Sequence, residues 1–116
     1  MITVKQLIQV APFPEESKKQ LLEKADSFSP EKQFEVLETC WELISADYQN
    51  RLSSEIEKAT LEMANGEKTY SQEDFAKMES DLFLELTNKL NASGDQEQME
   101  EIRKQLDSAI KTQPTA

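Results

Sequence analysis

The residues that carry chemistry in this chain are few, and their spacing narrows what they do. Histidine is absent, which removes the commonest general base, the commonest metal ligand and the near-neutral proton switch. A carboxylate-bridged di-metal bundle needs Glu-x-x-His on two helices, so that chemistry is excluded. No glycine-rich phosphate cradle, calcium loop or Ser–base pair is present. Cys40 beside Trp41 is the one pair that resembles a reactive site. A nucleophilic thiol needs a cation or a helix N-terminus nearby to lower its pKa. Cys40 instead falls in the middle of a long helical pattern with Glu38 and Glu42 around it, so it is read as a core residue, with Trp41 as the bulkiest core side chain. The reading is non-enzymatic, with no catalytic residue, cofactor or metal.

Carboxylates form the other constellation. Glu31, Glu35, Glu38 and Glu42 recur at i, i+4, i+7 and i+11, so they share one helix face. Read blandly, that is a solvated surface. Read functionally, it is an acidic stripe that docks a basic protein surface. Leu61 and Leu84 point away from the apolar stripes of their own helices. Each is either a lone exposed leucine or part of a second seam, for the last helix or for another copy of the chain.

The charge balance agrees with a protein partner. With 13 basic and 23 acidic residues the formal charge is −10, which argues against nucleic acid or an anionic membrane. Residues 1–28 are balanced, four against four, and the excess begins at residue 29. No apolar run approaches the length of a membrane span. A single cysteine fits a reducing compartment. The start, Met1-Ile2-Thr3-Val4-Lys5, lacks the blocks of a signal peptide, so the expected location is cytoplasmic, and the sequon Asn91-Ala92-Ser93 is discounted.

What positions these residues is one long helix. Between Pro30 and Gly66 there is no Pro or Gly, and Ser29-Pro30-Glu31 opens the segment with a hydroxyl cap, a proline at the first position and an acid in the first turn. About 36 helical residues span roughly 54 Å. Their apolar stripe is Phe34, Leu37, Trp41, Ile44, Tyr48, Leu52, Ile56, Ala59 and Met63, with Val36, Cys40 and Leu43 as a second strip beside its first half. The first half therefore needs two neighbours and the second half one.

Two short helices precede the rod. Val4, Leu7, Ile8 and Ala11 form the face of the first, Pro12-Phe13-Pro14 stops it, and Leu21, Leu22 and Ala25 face inward from the second. Asn65-Gly66 ends the rod, and Ser71 caps a helix to about Leu90 with Phe75, Met78, Leu82, Leu86 and Leu90 on one face and Phe83 at its margin. Its short connection makes it an antiparallel neighbour that brings Leu90 near Ile44 to Tyr48. Asp95 caps a last helix to about Lys111, with a thin stripe of Met99, Ile102, Leu106, Ala109 and Ile110.

The sequence thus predicts an all-α, elongated helical bundle. Two short N-terminal helices pack on one end of the rod, a fourth helix forms an antiparallel hairpin with it, and a short fifth helix follows. Residues 1–111 form a single domain and 112–116 a frayed tail. Functionally it predicts an acidic protein-interaction module with a protein partner, homo-oligomerisation being one form of this. The alternative is an acidic decoy that mimics nucleic acid on a basic protein surface.

Overall fold

Side-chain hydrogen bonds start four of the helices. The computed structural model describes residues 2–92 and 94–112, with side chains as far as Ser108. Thr3 opens α1 (Val4–Val10) with a capping box, its hydroxyl accepting from the Gln6 N–H while the Gln6 side chain accepts from the Thr3 N–H. Next come α2 (Glu15–Lys24) and a 3-10 turn (Ala25–Ser27). The Ser29 hydroxyl accepts from the Lys32 N–H at the head of α3 (Pro30–Ala64). A second capping box, Ser71 with Asp74, starts α4 (Gln72–Lys89), and the Asp95 carboxylate accepts from the Gln98 N–H at the start of α5 (Gln96–Thr112). The tail expected at 112–116 lies outside the described residues beyond Thr112, which still belongs to α5; Ser93 and the side chains of Ala109 and Ile110 lie outside them too.

Two stops share one geometry. Gly66 has φ +73°, the Glu67 N–H donates to the Glu62 carbonyl at 2.9 Å and the Gly66 N–H to Met63 at 3.1 Å. Asn91 takes the same role with φ +56°, with Ala92 donating to Thr87 at 2.8 Å and Asn91 to Asn88 at 3.1 Å. Both are Schellman motifs, which satisfy the last carbonyls of a helix and turn the chain sharply. Ala92, which follows the second, is fully buried.

The rod sets the shape. The molecule measures 55 × 30 × 25 Å, its long dimension that of a helix of this length. The other helices gather on one side and around its middle. α1 runs beside the rod in the same direction. Val4 shares a groove with Gln33 and Leu37, while Val10 meets Ile44, Asp47 and Tyr48 further on. α4 returns antiparallel, with Arg51 bonded to Glu85 at 3.0 Å and Leu82 and Leu86 beside Ile44 and Tyr48. It reaches α1 at its end, where the Gln6 side-chain amide donates to the Leu90 carbonyl at 2.8 Å. α5 packs on α3 and crosses to α4 through Arg103. One continuous core results, from Ile2 and Leu7 through Cys40, Trp41 and Tyr48 to Leu90, Ile102 and Leu106.

The five-helix layout is as predicted, but the faces of the rod are not all covered as expected. Phe34, placed on the main stripe, is 61% exposed, and Ile56 is 38% exposed. Trp41, Ile44 and Tyr48 of the main stripe are buried together with Val36 and Cys40 of the second strip, where α1 packs on α3, while Leu43 is half-buried. Phe34 lies about 200° around the helix from Val36, outside that cover. α2 is a weaker neighbour than expected. It buries no residue fully, since two adjacent leucines cannot make a continuous face; Leu21 and Leu22 are half-buried. The rod from Tyr48 onward was expected to need one neighbour, yet at Tyr48 itself α3, α4 and α5 converge.

Candidate functional site

Three polar or apolar assemblies stand out, and their geometry separates the structural from the available. The first lies where α3, α4 and α5 meet. Glu79 accepts from the Tyr48 hydroxyl at 3.3 Å and from the Arg103 guanidinium, and Arg103 also sits 4.0 Å from the centroid of the Phe83 ring. Burial, followed by the charge of Glu79, holds the Tyr48 hydroxyl above its ordinary pKa, with Arg103 opposing. Burial works against the Arg103 charge, but the bond to Glu79, the Glu79 charge and Tyr48 together outweigh it and the net direction is upward. This triad is a clasp that pins α5.

The second assembly closes the far tip of the hairpin. The Tyr70 hydroxyl donates to Glu62 at 3.0 Å and Lys68 pairs with the same carboxylate at 3.4 Å. Glu62 is held below the usual carboxylate range chiefly by the Tyr70 bond, then by Lys68. Both groups fix the loop between α3 and α4.

Cys40 takes no part in either. Its side chain is 0% exposed, and burial pushes the thiol up to about 11. The core assignment holds, though the cause of the shift is desolvation and not the neighbouring glutamates. Trp41 is buried as expected. Among the described residues no three Cys, Asp or Glu side chains converge as a metal site requires.

The third assembly is the open start of the rod. Glu31, Glu35, Glu38 and Glu42 are all exposed on one face of α3. Lys32 approaches Glu35 at 3.8 Å; among the described residues the other three form no ion pair. Beside them lies Phe34, which the sequence reading placed in the core. On its other side, about 60° around the helix, Leu37 and Gln33 line a groove of about 500 Å³ completed by Val4, Ala25 and Phe28. Lys5 and Asp26 pair across its rim at 3.0 Å. Comparison with protein-family models, curated proteins and solved structures finds no match.

Leu61 and Leu84 are 58% and 45% exposed, and they sit on different helices, α3 and α4. α5 covers neither: it docks over Phe83, which is buried and not marginal. Of the predicted site residues, the four glutamates share one exposed face of α3. Phe34 and the groove were missed. The available signal was the sequence of Phe34, Leu37 and Phe28 around an N-cap, which placed three bulky side chains at the end of a rod where only seven- and ten-residue helices could cover them.

Proposed function

We propose that this chain is a non-enzymatic protein-interaction module of the cytoplasm that engages a protein partner through the exposed start of α3. The observation that carries the reading is Phe34, a large aromatic side chain 61% exposed and flanked by Glu31 and Glu38 on the same helix. An exposed aromatic with a polar rim is the composition of an interface centre. The sealed Cys40 thiol supports the non-enzymatic part, since its thiolate is scarce at neutral pH. One cysteine, buried and unpaired, fits a reducing cytoplasm. The decoy reading needs charge alone and gives Phe34 no role, so apolar docking with acidic selection is the better account.

The test is a photo-crosslinking amino acid placed at position 34 and, for comparison, at 61 and 84, in cells that naturally make the protein. A discrete protein adduct from position 34 is expected. Adducts from 61 or 84 alone would move the interface elsewhere on the module. Silence at all three positions would reject the interaction reading.

A further inference from the structure

We infer that the groove at the start of α3 receives a basic amphipathic helix supplied by another protein. This deepens the reading above and rests on it. Around the circumference of α3 the surface changes in order. Leu37 and Gln33 face the groove about 60° and 100° from Phe34 on one side, and Glu38 and Glu31 lie about 40–60° from it on the other, with Glu42 and Glu35 further round. Apolar hollow, aromatic ridge and acidic flank therefore succeed one another across one strip. A helix with an apolar face bordered by Lys or Arg presents the complementary order, so its apolar side chains enter the groove against Phe28 and Leu37 while its basic edge lies over Glu38 and Glu31, the acids nearest Phe34.

The length agrees as well. Glu31 to Glu42 is three turns, roughly 17 Å along the axis, which matches the side of a short partner helix. The groove, about 500 Å³, has room for more than one bulky apolar side chain. The Lys5–Asp26 pair on the opposite rim is internally neutral and Glu35 is paired with Lys32, so the direction of charge across the strip is set by Glu31, Glu38 and Glu42.

A second copy of this chain is a poorer occupant. Each copy carries a net charge of −10, and a two-fold contact would set one acidic row against the other. The basic side chains of α2 are the chain's nearest substitute, but Leu21 and Leu22 of that helix already pack against the core, leaving it no apolar face to offer.

The probe is a synthetic 18-residue peptide with Leu at i, i+3, i+4 and i+7 and Lys on the flanks, labelled for fluorescence anisotropy against the full chain. A scrambled peptide of identical composition has no apolar face. The patterned peptide is expected to bind about tenfold more tightly than the scramble. Phe34→Ala should weaken it about tenfold. The pair Glu31→Lys with Glu38→Lys should do the same and flatten the salt dependence. Leu84→Ala should change nothing. Phe34, Glu31 and Glu38 are exposed, so circular dichroism of these variants should match the parent. Equal binding of patterned and scrambled peptides would reduce the surface to a simple polyanion and overturn the inference. So would indifference to Phe34→Ala, or light scattering that shows the chain already paired with itself through this face. A crosslink from position 34 with no peptide binding would leave the interaction module standing and remove only the basic helix.

Discussion

Replacing Ile102 by Ala tests whether α5 belongs to the core or is merely attached to it. Ile102 is 0% exposed and, with Leu106, forms the apolar anchor of a helix of 17 residues. The substitution removes three carbon groups, worth about 0.8 kcal/mol each when buried, or about 2.4 kcal/mol. A residual cavity adds to this, within the range of about 2–5 kcal/mol for such truncations. α5 lies on the outside of the bundle and can settle inward, so the cavity contribution is small and the total is about 3 kcal/mol. Against a typical domain stability of about 5–15 kcal/mol, the variant stays folded at room temperature.

The assay is urea unfolding followed by two signals, far-UV circular dichroism for all helices and fluorescence of Trp41, the single tryptophan, which sits on α3. Because Ile102 and Trp41 belong to one contiguous cluster, both signals should shift together. With an m-value of about 2 kcal/mol per molar urea, the midpoint falls by about 1.5 M. Leu84→Ala, at an exposed position, should stay within about 0.5 kcal/mol of the parent. If the Trp41 transition stays in place while helical signal is lost early, α5 is an independent appendage and the single-core reasoning is wrong. A loss below about 1 kcal/mol would refute the burial itself.

Two further predictions follow from buried polar groups. The fold keeps the Cys40 thiol protonated, with a pKa of about 11 against an ordinary 9.0, so its contribution is complete below about pH 9 and disappears as pH rises toward 11. At about 1.4 kcal/mol per unit that amounts to about 3 kcal/mol; Tyr48 is raised in the same direction, so the comparison must be with Cys40→Ala. Urea midpoints of the parent should fall more steeply than those of the variant across this window, and parallel slopes would refute the claim. Among the described residues the Ser45 hydroxyl, buried at 0% exposure, has no hydrogen-bond partner, a state that costs about 1–3 kcal/mol. Ser45→Ala should therefore raise stability by about 1 kcal/mol in thermal unfolding, and a destabilised variant would show that the hydroxyl is satisfied.

Helix ends were legible because they are local. Thr3, Ser29, Ser71 and Asp95 each cap the helix that the sequence assigned to them, and Gly66 and Asn91 end theirs through bonds to residues within one or two turns. Coverage of the faces was not legible. Periodicity says which residues share a stripe, but Phe34 and Ile56 are exposed because of where α1 and α5 come to rest, a matter of contacts far apart in sequence. The clasp has the same character. Glu79 and Arg103 are 24 residues apart, and no spacing rule joins them to Tyr48 and Phe83. For the candidate site, the acidic row was visible as a helical repeat, whereas its meaning depended on the exposed phenylalanine within it.

The start of α3 is the part of the molecule least explained by stability. Like charges at i, i+4 oppose helix formation by about 0.2–0.5 kcal/mol per pair, and the helix dipole relieves only Glu31, the acid in the first turn. Only Glu35 has a described ion-pair partner, Lys32 at 3.8 Å, and exposed pairs of that kind contribute little. Phe34 gains almost nothing from folding while it remains in water, and a lysine in its place would pair with the glutamates on either side. Elsewhere the chain follows the local rules closely: four hydrogen-bonded caps, two Schellman stops, one unbroken core. Departures from otherwise consistent local rules concentrate where a chain serves something other than its own fold. Here the departures in charge and in apolar exposure fall on the same three turns of one helix, beside the groove, and a basic amphipathic partner relieves both at once.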